Sequence, residues 1–411
     1  EQAGIVERMA EAEARAIDPG GRGEHDASEA HGYFAAMPRR QREASKMKIK
    51  DLIAPLEAWA PRSLQEDYDN SGLQVGDPEA EVNAAMVCLD CTEEVVEEAA
   101  RLGCGLIISH HPVIFRGLKS LSGKGYVERT LLAAIRNGIA LYAIHTNLDN
   151  VLDGVNGEIA ARLGLKPLGT LAPKPGQLRK LVVFVPMEHA DAVRNAVFKA
   201  GGGHIGNYDE CSFTVGGMGT FRPGPGTNPF SGEQGVRSSE AEFRLEFIYH
   251  APREQAIISA MLAAHPYEEV AYDLYPITNP HPGIGSGLIG EWDSPIPEAE
   301  FLAKLKQTFG LQAIRHTKTL GKPIRRVALC GGSGAFLIRS AIAAGADAYL
   351  TGDVKYHEFF DADGRLLLAD IGHYGSEQFT MHLIQRRLGE HFPTFAVRLT
   401  ETVTDPIHHY Y

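Results

Sequence analysis

The sequence has few cysteines, no long apolar run and no excess of positive charge among its 411 residues. No stretch reaches the roughly 18 apolar residues that a membrane-spanning helix needs, which argues against a membrane protein. The 40 basic and 52 acidic side chains give a net charge of −12, so we expect no bulk electrostatic binding to nucleic acid or membranes. Five cysteines are too few, and odd in number, for a disulfide framework, which favours a reducing compartment, the cytoplasm.

Glycine and histidine are abundant instead, with 44 and 17 residues. Histidine matters more for function, because imidazole is the commonest metal ligand in proteins and titrates near neutral pH. Apolar residues make up 44% of the chain and charged residues 22%, as in an ordinary globular protein. The composition therefore indicates a soluble, histidine-rich α/β protein, with an enzyme as the first hypothesis.

Strand and helix patterns alternate from residue 47 onward. An apolar strand at 84–90 leads into a helix at 93–103, with Thr92 as its N-cap, and then into an apolar strand that ends at His110-His111. A similar unit returns near the C-terminus, where strands at 325–330 and 346–357 flank a helix. This similarity predicts an internal duplication, with two α/β half-domains that face each other across a site.

A segment with a different pattern of predicted strands and helices lies between the halves. Residues 171–282 show the order β-α-β-β-α-β, which is that of a ferredoxin-like domain, and both ends of the segment are rich in turn residues. We therefore predict an inserted domain. The predicted organisation is a poorly ordered N-terminal extension, the first half of the core, the insert and the second half of the core, at residues 1–46, 47–170, 171–282 and 283–411.

His110 and His111 are the sharpest chemical signal in the sequence. They follow a predicted buried strand, at the position where open α/β sheets build their sites. Pro112 turns the chain there, so both imidazoles could reach neighbouring metal ions. The alternative is a pair of ordinary surface histidines.

Asp149, His373 and Glu377 also follow predicted strands. Asp149 could ligate a metal or simply cap a turn. His373 and Glu377 are four residues apart and would share one face of a helix, although an ordinary surface pair has the same spacing. Because all these segments follow strands of the duplicated units, we expect them to open onto one crevice.

These candidate ligands supply three nitrogens and two carboxylates. Such a set suits two borderline divalent cations, and Zn, Fe, Mn and Co all remain open. A carboxylate could also bridge two cations spaced about 3.5–4 Å apart.

Further polar residues stand near these positions in the sequence. Arg116 and Lys355 could hold an anionic substrate, and His145 or His357 could act as general acid or base. Ordinary surface positions are the alternative for Arg116 and His357. The GGSG at 331–334 could cradle a phosphate, but a tight turn explains it equally well.

The motifs SHHPVIFRGLKSL, HTNLDNVLDGVN, TGDVKYHEF and DIGHYGSE together resemble the Nif-three-like dinuclear-metal family, whose bacterial members are often labelled GTP cyclohydrolase 1 type 2 homologues. The early DNSGLQVGD is similar to the same family. The resemblance extends from Met47 to the C-terminus, and the insert resembles the PII-like or CutA-like module of longer bacterial members. It implies a homohexameric toroid built from two related α/β halves.

The resemblance also implies a dinuclear metal site, whose ligands match residues of this sequence. The matching residues are His110, His111, Asp149, His373 and Glu377. The leading hypothesis is a metal-dependent hydrolase that acts on a nucleotide-like or heterocyclic small molecule. The alternative is a non-enzymatic metal-holding scaffold or regulator, in which the PII-like insert senses a ligand.

Overall fold

The computed structural model describes residues 46–410. The extension expected at 1–46 lies outside the described residues, except for Lys46. None of the helices within 46–410 combines the length and the apolar character needed to cross a bilayer. All five cysteines are unpaired thiols.

Within residues 46–410, five strands form the first sheet. In spatial order they are β17 (Ala396–Leu399), β4 (Ala84–Cys88), β5 (Leu106–Ser109), β6 (Ala140–Ala143) and β2 (Gly72–Val75). The first four are parallel, and β2 pairs antiparallel to β6. Every residue of the three central strands is buried, which is why their sequences are apolar runs rather than alternating patterns.

The described part of the chain contains a second sheet, of six strands. In spatial order they are β13 (Arg315–His316), β16 (Leu367–Asp370), β15 (Ala348–Gly352), β14 (Ile324–Ser333), β12 (Gly285–Ile296) and β7 (Lys166–Pro173). Its centre is again parallel, since β14, β15 and β16 run in one direction, and the remaining pairings are antiparallel. The two sheets are thus the two related α/β halves that the sequence predicts.

The inserted sheet, also within 46–410, has four strands. In spatial order they are β11 (Tyr272–Pro276), β8 (Leu178–Pro186), β10 (Ser238–His250) and β9 (Phe213–Phe221). All its pairings are antiparallel, and the order fourth-first-third-second is that of a ferredoxin-like sheet. The predicted α+β insert is therefore confirmed. A short antiparallel pair, β1 (Met47–Lys48) and β3 (Glu81–Val82), completes the strands described.

The helices cover both faces of the two main sheets and one face of the inserted sheet. They are α1 (Ile49–Trp59), α2 (Glu93–Arg101), α3 (Tyr126–Arg136), α4 (Thr146–Asp149), α5 (Val155–Leu163), α6 (Ala190–Lys199), α7 (Glu254–Ala264), α8 (Glu298–Thr308), α9 (Ile338–Ala343), α10 (His373–Glu377) and α11 (Thr380–His391). Thr92 caps α2 as predicted, because its hydroxyl accepts a hydrogen bond from the backbone N–H of Val95.

One apolar core joins the two main sheets. Alternate strand residues such as Val87 and Leu350 share it with side chains of α1, α5, α8 and α11, including Leu52 and Leu305. Side chains on the other face of each sheet pack into separate clusters, with α2 and α3 on the first sheet and α9 on the second. The shared core therefore holds the carboxyl ends of both parallel strand sets in fixed positions.

Two strands pair across the predicted domain limits. β7 begins before residue 171 yet pairs with β12 of the second sheet, and β17, near the C-terminus, pairs with β4 of the first sheet. Each main sheet thus takes an edge strand from the chain segment that forms most of the other sheet. The limits themselves stay a prediction.

Candidate metal centre

The candidate ligands come from the carboxyl ends of parallel strands in both main sheets. His110 and His111 follow β5, Asp149 ends α4 just after β6, and His373 and Glu377 begin and end α10 just after β16. In open α/β sheets this edge is where binding sites form. The structure therefore brings all five predicted ligands into one crevice.

Glu377 lies at the centre of the group. Its Oε2 is 3.0 Å from Nε2 of His111 and 3.0 Å from Nε2 of His373, and its Oε1 is 3.8 Å from Nε2 of His110. The Nε2 atoms of His111 and His373 are 3.2 Å apart. His110, His111 and Glu377 form a candidate metal-binding cluster, with their ligating atoms all within 4.8 Å of one another. His373 and Glu377 share one helix face, as their spacing predicts.

Two buried polar atoms of the site make no hydrogen bond within residues 46–410. Nε2 of His110 and Oδ1 of Asp149 are buried, lie 3.6 Å apart and make no hydrogen bond within residues 46–410. Burying such groups unpaired is unfavourable, and a cation between them would satisfy both lone pairs. The residues present thus fit a metal ion.

Gly332 makes room for the central carboxylate. Its φ is +62°, and a Cβ added there would meet Oε1 of Glu377 at 2.4 Å. The GGSG segment belongs largely to β14, which extends to Ser333. At this position, glycine is therefore explained by the space that Glu377 needs.

The second nitrogen of each imidazole is held by an oxygen. Nδ1 of His110 donates a hydrogen bond to the carbonyl of Ile144, at 2.8 Å. Because that proton is on Nδ1, the Nε2 lone pair faces the site. The other pairs, each with an N–O distance of 2.7 Å, are His111–Asp90, His373–Asp353 and His145–Asp69. Such carboxylate–histidine pairs fix ring orientation and raise ligand basicity in metal sites.

Sequence reasoning missed these three carboxylates. Asp90 follows β4 by two residues, and Asp353 follows β15 directly, with a left-handed φ of +56°. Asp69 lies in the turn-rich DYDNSG segment, and its side chain is fully buried. Asp90 and Asp353 could have been found by the rule that located the histidines, because both end parallel strands. Asp69 gave no such signal.

The carboxylates also determine the charge of the imidazoles. Burial by itself would lower the pKa of His111, but hydrogen bonds to Asp90 and Glu377 outweigh it and raise the pKa to about 9. At His373, burial likewise lowers the pKa, but the hydrogen bonds to Asp353 and Glu377 outweigh it and raise the pKa to about 11. In Glu377, the contacts with the three imidazoles outweigh burial and hold the pKa well below its usual value.

Asp149 behaves differently from the other carboxylates. Burial raises its pKa to about 6, and the nearby His110 only partly offsets this. In Asp69, by contrast, burial is outweighed by the hydrogen bond from His145, and its pKa falls below the usual value. Within residues 46–410, Asp149 therefore lacks a strong cationic partner, which a bound metal ion would supply.

The other predicted site residues fall into two groups. The His145 ring lies 5.4 Å from the rings of both His110 and His111, and Lys355 lines a cavity of about 800 Å³ together with His373. Arg116 and His357 are exposed, and within 46–410 neither forms a hydrogen bond or ion pair with the candidate ligands. The predicted roles of all four stay predictions.

The strand predicted to end at His357 is shorter than expected. β15 ends at Gly352, and His357 lies in a 3₁₀ helix, where its ring contacts Tyr356. The left-handed backbone at Asp353 breaks the strand, so extension of β15 to residue 357 is wrong.

Comparisons with known proteins identify the family to which the chain is similar. Residues 47–406 match the family model described as Duf34/NIF3 (NGG1p interacting factor 3). A protein of Halalkalibacterium halodurans named GTP cyclohydrolase 1 type 2 homolog is 42% identical, over 80% of this chain and 89% of its own length. A protein of the same name from Bacillus subtilis is 37% identical, over 84% of this chain and 93% of its own length.

Solved structures show the same architecture. A Bacillus cereus protein related to NIF3 is 37% identical, with a TM-score of 0.78 over 89% of this chain and 99% of that one. The Staphylococcus aureus protein SA1388 is 30% identical, with a TM-score of 0.71 over the same shares of each chain.

Proposed function

The chain belongs to the Duf34/NIF3 family, and from that premise we propose that it is a dinuclear metal-dependent hydrolase of a nucleotide-like or heterocyclic small molecule. The names of its relatives support the reaction class, since those proteins are called GTP cyclohydrolase 1 type 2 homologs. The observation on which the proposal rests is that His110 Nε2 and Asp149 Oδ1 are buried beside Glu377 and make no hydrogen bond within residues 46–410.

Five side chains would hold the two cations. They are His110, His111, Asp149, His373 and Glu377, a set of three nitrogens and two carboxylates that suits Zn, Fe, Mn or Co. When bound, a pair of such cations polarises the substrate and activates water for hydrolysis near neutral pH. The protein contributes the fixed positions of the ligands, through the Asp90, Asp353 and Ile144 hydrogen bonds.

His145 is the proposed general acid or base. Its Nδ1 is 2.7 Å from Asp69, so the ring is oriented by a carboxylate while its edge lies against His110 and His111. His357 is exposed and, within residues 46–410, makes no hydrogen bond, ion pair or ring contact with the candidate ligands. We therefore rank His145 ahead of His357.

Two cationic side chains are proposed to hold the anionic part of the substrate. Lys355 lines the cavity that reaches His373 and has the volume of an ordinary small-molecule site. Arg116 is exposed in the loop that follows His111 and would need a substrate that extends to that loop.

The experiment measures metal content and turnover in the same preparations. In the wild-type protein we expect about two metal equivalents and hydrolysis of at least one member of a panel of GTP, other nucleotides and cyclic amides. Glu377→Ala should lose both, because the central carboxylate is removed, and exposed Glu390→Ala should lose neither. Two equivalents retained in Glu377→Ala would contradict the assigned ligands.

The alternative is a metal-holding scaffold or regulator with a ligand-sensing insert. It is favoured by a cavity of about 830 Å³ lined by both the core and the insert. Trp59 of the core and His250 of the insert line it, and each has a buried side-chain nitrogen with no hydrogen-bond partner within 46–410. A metal-loaded protein that leaves the whole substrate panel unchanged would favour this alternative.

Assembly and location belong to the same proposal. We propose a homohexamer in the cytoplasm that binds neither membranes nor nucleic acid through bulk charge, on the basis of the family resemblance and the net charge of −12. Sedimentation analysis of the metal-loaded protein should give the mass of six chains.

A further inference from the structure

Two exposed aromatic rings lie beside the candidate metal centre. Phe115 and Tyr68 have 43% and 66% of their surface exposed, and their ring centroids are 6.2 Å apart. The Phe115 ring lies 6.2 Å from the His145 ring, which in turn is 5.4 Å from those of His110 and His111. We call Tyr68 and Phe115 the aromatic platform. Together with the His145 ring, it forms a continuous row of ring contacts that ends at the candidate metal ligands His110 and His111.

The platform is held in place by hydrogen bonds rather than lying on a free loop. The Asn70 side-chain amide donates to the carbonyl of Ile114, at 2.6 Å. Oε1 of Gln74 accepts hydrogen bonds from the backbone N–H groups of Val113 and Ile114, at 2.9 and 3.1 Å. The segment that follows Tyr68 thus fixes the loop that bears Phe115. This is a structural role for the DNSGLQVGD motif that the metal site alone does not explain.

Exposed aromatic rings at a polar site offer flat apolar surface to a planar ligand. Base–aromatic stacking tolerates many ring systems, because every base has a π-face. A ligand ring stacked on Phe115 would be separated from the candidate metal ligands by the single imidazole of His145.

We propose that the aromatic platform binds the planar heterocyclic ring of the substrate by stacking, with Phe115 as the principal contact and Tyr68 as the outer one. This inference rests on the proposed function and specifies its substrate class: a compound with a planar, nucleobase-like ring rather than an acyclic amide or a simple phosphoester. The ring requirement, not the phosphate, would determine which members of the substrate panel bind.

The test compares binding of three probes to the metal-loaded protein by calorimetry: GTP, guanosine and inorganic triphosphate. Phe115→Leu should weaken GTP and guanosine binding roughly tenfold and leave triphosphate binding unchanged, because only stacking is lost. Tyr68→Leu should show the same pattern with a smaller loss. Phe115→Tyr, which keeps the ring, should bind GTP like the wild type, and so should Tyr208→Leu, a 76%-exposed tyrosine of the insert.

Three results would overturn the platform. One is equal affinity for GTP in Phe115→Leu and Tyr208→Leu. The second is failure of the wild type to bind either guanosine or GTP. The third is a changed oligomeric mass of the platform variants, which would assign the rings to a contact between copies. If guanosine binding depends on Phe115 but no probe is hydrolysed, the hydrolase proposal fails while the platform stands.

Discussion

The two main sheets build opposite walls of the candidate metal centre in different ways. On the first-sheet side, His110 is completely buried and hydrogen-bonded to a backbone carbonyl. On the second-sheet side, the His373 side chain is 35% exposed, its partner Asp353 is 42% exposed, and both line the cavity that contains Lys355. His110 is thus enclosed, whereas His373 is open to solvent on the side of the cavity. The comparison indicates that His110 anchors the metal from an enclosed position, while the His373 side is one route by which solvent reaches it.

The largest expected effect is a difference in metal content between His110→Ala and His373→Ala. Removing the buried imidazole leaves Asp149 and Glu377 as carboxylates without their shared partner, so we expect loss of all bound metal. Removing the exposed imidazole should leave at least one equivalent, because water can take its place as a ligand. Metal content after gel filtration measures both, and equal losses would contradict the difference between the walls.

The next effect concerns the carboxylates that orient the histidines. Asp90→Asn and Asp353→Asn should each reduce metal affinity by about 10–100-fold, because the amide cannot stabilise the bound imidazole as a carboxylate does. Competition with a chelating dye measures the change, and the exposed Asp361→Asn is the control. If only one variant loses affinity, the two walls do not hold their histidines by equivalent contacts.

A smaller effect is expected on the stability of the contact between the first sheet and β17, its edge strand from the C-terminal region. Buried Glu98 accepts hydrogen bonds from the hydroxyls of Thr400 and Thr402 and from the N–H of Glu401, directly after β17. Glu98→Gln should lower the free energy of unfolding by about 2 kcal/mol, the scale of hydrogen bonds to a charged group. Thermal melting, with exposed Glu97→Gln as the control, tests this; identical melting temperatures would contradict it.

The same glutamate predicts a pH dependence. Burial alone would raise the pKa of Glu98, but the hydrogen bonds it accepts lower the pKa below the usual value of about 4.3. The carboxylate therefore contributes fully above that pH, and its contribution is lost as the pH falls through the lower folded value. The difference in melting temperature between wild type and Glu98→Gln should shrink below about pH 4, and a difference that grows in acid would show the sign to be wrong.

The smallest expected effect on the metal centre is that of removing the insert from the core. The N–H of Lys174 donates to the carbonyl of Ile284, at 3.0 Å, so the two ends of the insert are adjacent. Replacing residues 176–282 by a short glycine linker keeps β7 and β12 and should leave the metal stoichiometry unchanged. Loss of metal in this variant would show that the insert supports the metal centre.

Much of this arrangement could be predicted from the sequence. Apolar runs before His110 and His373 placed those residues at strand ends, and the predicted duplication placed the two strand ends across one site. Spacing alone placed His373 and Glu377 on one helix face. What could not be predicted depends on tertiary contacts: β17 pairs with β4 from the far end of the chain, and Asp69 reaches His145 across 76 positions.

The pairing of β17 with β4 also determines when the first sheet can be completed during protein synthesis. Val87 pairs with Leu399, more than 300 positions later, and the first sheet lacks that edge until those residues have been synthesised. At about 5–20 residues per second, this interval is roughly 15–60 s. His110 and His111 are made early, but Glu377 follows 266 residues after His111. A nascent chain therefore holds three of its five candidate ligands, His110, His111 and Asp149, long before His373 and Glu377 are made, and the complete centre can form only after Glu377 has been synthesised.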